Sequence, residues 1–522
     1  MTGSKKDRYR FSEAPIWDIQ RKYYEEEGSA AWSNGQVPQY ITSNPMIAAA
    51  YAEIIFAFLQ DRANQEYRTE PVYIVELGAG AGRLACHVLH ELRQLRDYAR
   101  IPLPPFRYIM TDLAMSNVEA WKEHPALQSF VAEGVLDFGR FDAEQDTELH
   151  LEGSGITIRE GELTQPVVLV ANYFFDSIPQ ELIYVSEGHI YEVDVEMEFP
   201  EPRESLARSE WLQQVALRYA YRRAPAYEQE TYPYRDVIAV YQEQLEDSHI
   251  LFPRAGLACL ERLNRLSRAG FLLITADKGD HLLDSWKFAE PPELVLHGSF
   301  SLTANYHAIR HVFEQKGAEA LFPPQHYKNI NVGCIFHVEQ PMNYSNTRLA
   351  YRRRIERFGP DEFFSLKEWV DRNQESMGLQ QLLSFWRLGG YDAEFLIQHA
   401  QRIISLLPEA NDEEKEDVSR GIQLMWSSYF AMEQRDDLEL TAGLLLFEMG
   451  RYEQALPFLE MSSGKHPDDV LSNVYYCLAI CCFELAFEEE ALRYARKLLQ
   501  VEPGHEEALA WLGRFEKGSV DI

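Results

Sequence analysis

Two short stretches carry residues suited to holding a small charged ligand and acting on it. The first, Glu76-Leu77-Gly78-Ala79-Gly80-Ala81-Gly82, ends an apolar run on an acid and then turns on glycines. Glycines let the backbone approach a ligand closely, and the start of a following helix offers free N–H groups. A dinucleotide enzyme would use the same physics for a pyrophosphate, but the spacing here is Gly78-x-Gly80-x-Gly82 rather than Gly-x-Gly-x-x-Gly. Asp112, followed by Leu113, closes a second apolar run, where a carboxylate can accept both ribose hydroxyls. Asp142, in Phe141-Asp142-Ala143, can receive an adenine amino group. Singly, each reads equally as a tight turn or a cap. Together, Glu76, Gly78, Ala79, Gly80, Asp112, Leu113 and Asp142 point to a nucleoside cofactor, with S-adenosylmethionine as the candidate.

The second stretch is Val170-Ala171-Asn172-Tyr173-Phe174-Phe175-Asp176-Ser177-Ile178-Pro179. Asn172 is placed to touch both cofactor and acceptor, Tyr173 stands beside it, and Asp176 could bind a cationic acceptor or serve as a base. A cap on a following helix is the competing role for Asp176. Further on, His307, with Asn305 and Tyr306, could line an acceptor pocket, or be a hydrogen-bonded structural histidine.

Positioning these residues requires strands that end where the polar groups begin. Pro71 to Leu77, Phe106 to Met110, Val167 to Ala171 and Gly270 to Ala276 are short apolar runs separated by helix-like stretches. Runs without alternation imply a parallel sheet covered on both faces, hence an α/β Rossmann-like domain over 71–345. Residues 1–70 read as a helical segment, with Met46, Ala49, Ala50, Ile54, Ala57 and Phe58 on one face of a helix over Ser43 to Gln60. Glu196 to Arg235 lacks a strand signal and reads as an insertion over the sheet edge, a lid or a structural elaboration.

After Pro360 the pattern is amphipathic helix to the end. Gly450, Tyr452, Ala455 and Pro467 are echoed by Ala486, Glu488, Ala491 and Pro503, about 36 residues later, against roughly 34 for a two-helix solenoid repeat. Gly389-Gly390-Tyr391 with Ala393 and Pro408 gives a degenerate earlier copy, and Trp511-Leu512-Gly513 a partial last one. Residues 361–522 thus resemble tetratricopeptide repeats, an all-α solenoid that recruits a polypeptide or, alternatively, serves as a homodimer contact or a prop.

A formal net charge of −32 over 522 residues argues against a nucleic-acid backbone as partner, since that affinity comes from Lys and Arg. The 46% hydrophobic and 12% aromatic content is that of folded domains. The six cysteines, Cys86, Cys259, Cys334, Cys477, Cys481 and Cys482, show no Cys-x-x-Cys spacing and read as reduced thiols. With no uninterrupted apolar run of about 18 residues, the expectation is a cytoplasmic protein without a membrane partner.

Asn172 to Pro179 is similar to the Asn-Glu-Phe-Phe-Asp-Ala-Leu-Pro signature of the MidA-like methyltransferases. Ile41-Thr42-Ser43-Asn44-Pro45 resembles that family's Thr-Ser-Pro, with Asn44 as an extra residue, and Ser301-Leu302-Thr303-Ala304-Asn305-Tyr306-His307 resembles its Asp-Ile-Thr-Ala-His-Val-Asp. The likeness runs from about Tyr23 to Val338. It implies a methyltransferase using S-adenosylmethionine and no metal, since the sulfonium is already activated. Mitochondrial members of that family are protein arginine methyltransferases acting in respiratory complex I assembly. Two departures bear on the acceptor: Tyr173 stands where the family has Glu, and Asp277-Lys278-Gly279 where it has Asp-Tyr-Gly. A guanidinium acceptor needs carboxylates to orient it, so the loss at Tyr173 weakens the case for arginine. The expected function is methylation of a protein or peptide recruited by the repeats. Methylation of a small molecule or natural product, and a non-catalytic scaffold or assembly factor, are the alternatives.

Overall fold

A run of β-branched and large apolar residues buried on both faces can only be a central strand of a covered sheet, and Val72–Leu77 (β1) is one. The computed structural model describes residues 8–33, 37–65, 69–198, 215–297, 299–432, 437–465 and 472–518. Beside β1 lie Phe106–Asp112 (β2), Leu136–Arg140 (β3), Val167–Asn172 (β4), Gly270–Asp277 (β5), Glu319–Leu321 (β6) and Asn331–Val338 (β7). The sheet order is β6-β7-β5-β4-β1-β2-β3. The strands from β3 to β5 run parallel, with Ile74 opposite both Tyr108 and Val168, while β7 is antiparallel to β5 and β6. The fully parallel sheet expected from the apolar runs is therefore mixed at one edge. From β1 the chain adds β2 and β3 on one side, then crosses to β4 on the other. In such open sheets ligands bind outside the carboxyl ends of the strands where the order reverses, here beyond Leu77 and Asn172.

Helix Pro45–Asn64 begins two residues later than Ser43: Asn44 is the cap, its side chain accepting from the Ile47 N–H. The span Tyr40–Asn64 is long and apolar enough to cross a membrane, but 83% of its most apolar 18 residues is buried within the fold, as befits a core helix.

A second sheet is antiparallel throughout, built from Arg8–Arg10, Glu181–Ser186, His189–Glu198, Ala216–Arg223 and Ser248–Phe252. Glu196 to Arg235 was expected to lack strands, yet two strands pair across it; residues 199–214 lie outside the described residues. The acids hide the signal. Val193 and Val195 face the core, while Glu192 and Asp194 alternate with them and pair with Arg10 and Arg222.

Two units separate by internal contacts: Met1–Leu366 with Phe430–Glu433, and Lys367–Tyr429 with Gln434–Ile522. The first 70 residues are thus part of the unit that holds the sheet. In the second unit, Leu438–Glu448, Tyr452–Lys465, Ser472–Glu484, Glu488–Val501 and Glu506–Gly518 each pack on the next helix. Gly450 and Ala486 hold equivalent turns, with φ of 70° and 60°. Pro467 lies outside the described residues.

The left-handed backbone that Gly450 adopts freely costs Ala486 its Cβ clash with the carbonyl. Replacing Ala486 by glycine should stabilise the helical unit by about 0.5–1 kcal/mol, the relief being partly offset by a freer unfolded chain. Thermal denaturation of the full chain reads this as a higher midpoint for the transition of that unit.

Candidate cofactor and acceptor site

The carboxyl ends of β1 and β4 open into a cavity of about 370 Å³. Its floor on the β1 side is the glycine loop, where Gly78, Gly80 and Gly82 take φ of 64°, 55° and 89°. A Cβ on Gly82 would stand 2.7 Å from Met110 Cε, and one on Gly80 would stand 3.0 Å from Trp32 Cζ2, so these positions require glycine for space as well as for φ. A Cβ on Gly78 would meet only Phe174, at 3.7 Å, leaving an open cradle over the loop.

Asp112 fixes this loop. Its Oδ2 accepts the Gly80 N–H at 3.0 Å and its Oδ1 the Ala114 N–H at 3.0 Å, while the Ala79 N–H bonds the Thr111 carbonyl. Burial raises the Asp112 pKa, against the pull of these amides. Glu76 lines the cavity and accepts from the Tyr108 hydroxyl at 2.9 Å; burial pushes its carboxyl up to about 8. Asp142 also lines the cavity, but its Oδ2 receives the Arg21 guanidinium at 2.5 Å and its Oδ1 the Glu144 N–H. Burial opposes ionisation of Asp142, yet the Arg21 bond and the amide outweigh it, and its pKa is lowered. Asp142 is therefore held by a cation from the N-terminal helix Pro15–Glu27, a pairing that nothing in the local sequence signals.

The β4 side carries the second stretch. Asn172 is pinned: its Oδ1 accepts the Tyr51 hydroxyl at 2.7 Å and its Nδ2 donates to the Thr42 carbonyl at 3.1 Å. Tyr173 has φ of 49°, an uncommon conformation for a residue with a bulky side chain, and its N–H bonds the Ala276 carbonyl. Burial raises the Tyr173 pKa, with nearby Asp176 adding to it. Asp176 is 2% exposed and lines the cavity, its Oδ1 accepting from Ser177 Oγ at 2.8 Å. No helix follows it, so the capping role is excluded: the chain turns and enters the Glu181–Ser186 strand. Burial pushes Asp176 up to about 6.

Glu76, Gly78, Ala79, Gly80, Asp112, Leu113, Asp142, Asn172, Tyr173 and Asp176 are thus brought to one cavity. His307 is not. It sits on helix Tyr306–Gln315, its Nδ1 3.1 Å from the Tyr241 hydroxyl, outside the cavity wall, and burial lowers its pKa to about 4. Asn305 and Tyr306 likewise lie outside it: Asn305 caps that helix, and Tyr306 bonds Asp277 behind the wall. The acceptor segment instead contributes Ser301, while Lys278 comes from the bend after β5 and His297 from the short strand Val295–His297. Trp17, Gln20, Arg21, Tyr24 and Trp32 add an aromatic and cationic wall from the first 33 residues. Thr42 and Ser43, within the Thr-Ser-Pro likeness, were the only sequence signal that this region reaches the site.

Residues 51–277, somewhat under half of the chain, match the model of a family described as "Putative S-adenosyl-L-methionine-dependent methyltransferase". The protein is an S-adenosylmethionine-dependent methyltransferase. Two solved structures from Burkholderia thailandensis are similar to the methyltransferase. One, an uncharacterized ACR superfamily protein, is 14% identical with a TM-score of 0.41, over 65% of this chain and 90% of that one. The other, a superfamily member described as a "likely methyl transferase" bound to S-adenosyl-homocysteine, is 16% identical with a TM-score of 0.40, over 60% of this chain and 74% of that one. No curated protein matches the chain.

S-adenosylmethionine is the cofactor, and the cavity fits it. The open cradle over Gly78 admits a ligand against backbone, and the Asp112 oxygens retain lone pairs beyond the two amide bonds. When bound, S-adenosylmethionine supplies a methyl group already activated on a sulfonium. The chain's own task is to orient the acceptor and to exclude water.

Asp112→Ala should weaken S-adenosylhomocysteine binding by at least about tenfold in calorimetry, because a carboxylate bonded to backbone amides is worth about 1.5–3 kcal/mol to the geometry it holds. His307→Gln should leave that affinity unchanged. A loss at His307 equal to that at Asp112 would return the histidine to the site.

Proposed function

We propose that the methyltransferase modifies a protein or peptide, and that the helical unit recruits it. The observation that carries this reading is the wall around Asp176: one buried carboxylate facing the cavity, flanked by Tyr173 and Tyr24, suits a cationic side chain that must be oriented and deprotonated before it attacks. The likeness of Asn172 to Pro179 to the MidA-like signature agrees with it. Tyr173 removes one of the carboxylates that a guanidinium would use, so arginine is not singled out among cationic acceptors. In the second unit the matching turns at Gly450 and Ala486, 36 residues apart and so near the roughly 34 of a two-helix repeat, support a tetratricopeptide-type array. Its last helices expose Phe487, Val501 and Leu509, at 48%, 53% and 51%, where a recruited segment would find apolar contacts.

The test is transfer of a labelled methyl group from S-adenosylmethionine to components of a lysate from the source cells. A labelled polypeptide is expected. Phe487→Asp with Leu509→Asp should reduce its labelling severalfold, roughly the loss of one or two apolar anchors, with unchanged S-adenosylhomocysteine affinity. Label confined to small molecules would replace this reading by small-molecule methylation, and labelling of the polypeptide untouched by the double substitution would remove the helical unit from recruitment.

A further inference from the structure

Behind Asp176, on the side away from the cavity, stands a second acid at the end of β5. Asp277 is fully buried. Its Oδ2 accepts the Phe175 N–H at 3.2 Å and the Tyr306 hydroxyl at 3.2 Å, whereas its Oδ1 finds no donor among the described residues. The Asp277 and Asp176 carboxyl groups lie close enough to act directly on each other's ionisation. Two carboxylates in contact, both out of water, cannot both be ionised, because neither repulsion nor desolvation is offset. A proton on Asp277 Oδ1 resolves both problems: it gives the orphaned oxygen a partner and turns a like-charge contact into a charge-assisted hydrogen bond.

We propose that Asp277 is a positioning residue that remains protonated and donates from Oδ1 to Asp176, holding the ionised Asp176 carboxylate toward the cavity as the anionic partner and proton acceptor for the methyl acceptor. The inference rests on the placing of the acceptor beside Asp176. The surroundings support this division of charge. Lys278 favours the ionised form of Asp176, and Ser177 donates to it. Around Asp277 the titratable neighbours include Asp176, Tyr306, Tyr51, Tyr173 and Tyr327. Burial followed by the Asp176 charge drives the Asp277 pKa well above the usual carboxylate range. The sign follows: below the Asp176 value of about 6 both acids are neutral, and above it the pair carries a single charge on Asp176.

Asparagine is a close copy of the form assigned to Asp277. Its carbonyl oxygen can accept from Phe175 and Tyr306 as Oδ2 does, and its amide can donate to Asp176 from the place of Oδ1. Asp277→Asn should therefore keep methyl transfer to lysate polypeptides within about threefold of wild type, whereas Asp277→Ala, which strips Asp176 of its donor, should lower transfer by roughly ten- to a hundredfold. The decisive readout is infrared difference spectroscopy of the full chain saturated with S-adenosylhomocysteine, above neutral pH. Wild type minus Asp277→Asn should show a carboxylic-acid carbonyl band; wild type minus Asp176→Asn should show carboxylate bands. Loss of carboxylate bands in Asp277→Asn would overturn the assignment, as would unchanged transfer in an Asp277→Ala variant. The spectra need no acceptor, so they stand even if no polypeptide is labelled, and S-adenosylhomocysteine affinity separates a local effect from failure to fold.

Discussion

Acids at strand ends hold the backbone of the neighbouring turn, and the geometry of the cavity depends on that constraint. Asp112, at the end of β2, takes the Gly80 N–H and so fixes the glycine loop that follows β1. Asp277, at the end of β5, takes the Phe175 N–H and so fixes the turn that follows β4. In each case parallel pairing brings two carboxyl ends side by side, where amides without helix or sheet partners would otherwise be stranded out of water. The carboxylates supply the missing acceptors. The two tethered turns are those flanking the point at which the sheet order reverses, so the crevice and its rigidity have one origin.

The same acids divide the chemistry. Asp112 resists its burial through two amide bonds and stays on the cofactor side. Asp277 has a second acid for a neighbour, and the cost of two buried charges in contact is what makes one of them a donor and the other an acceptor. Asn172 stands between these halves, held by Tyr51 and Thr42, so that its position is set by the core helix and by the segment before it. Around this frame the first 33 residues place Trp32 against Gly80, with Tyr24 stacked on Trp32, and Arg21 on Asp142. An N-terminal stretch that could have been an appendage is a wall of the site.

Much of the cofactor side was legible in the residues. Apolar runs ending in Glu76, Asp112, Asn172 and Asp277 gave the central strands, because burial on both faces leaves little but β-branched and large apolar residues. The strand Leu136–Arg140 was missed, its five residues broken by Asp137, Gly139 and Arg140. The second sheet was missed because Glu192 and Asp194, buried against Arg10 and Arg222, alternate with the core valines. His307 failed for another reason: its type suits catalysis, but a hydrogen bond to Tyr241, some sixty residues away in sequence, decides which way it faces.

The sequence by itself determined where the strands end and which polar residues stand at those ends, since composition and spacing are local properties of the chain. It also carried the repeat of turns at Gly450 and Ala486 and the resemblance that pointed to methyl transfer. Only the tertiary structure decided which acids meet. Asp142 finds Arg21 and Asp176 finds Asp277 across 121 and about a hundred residues, respectively. Charge states at such contacts depend on desolvation and on neighbours, and neither exists until the chain has folded.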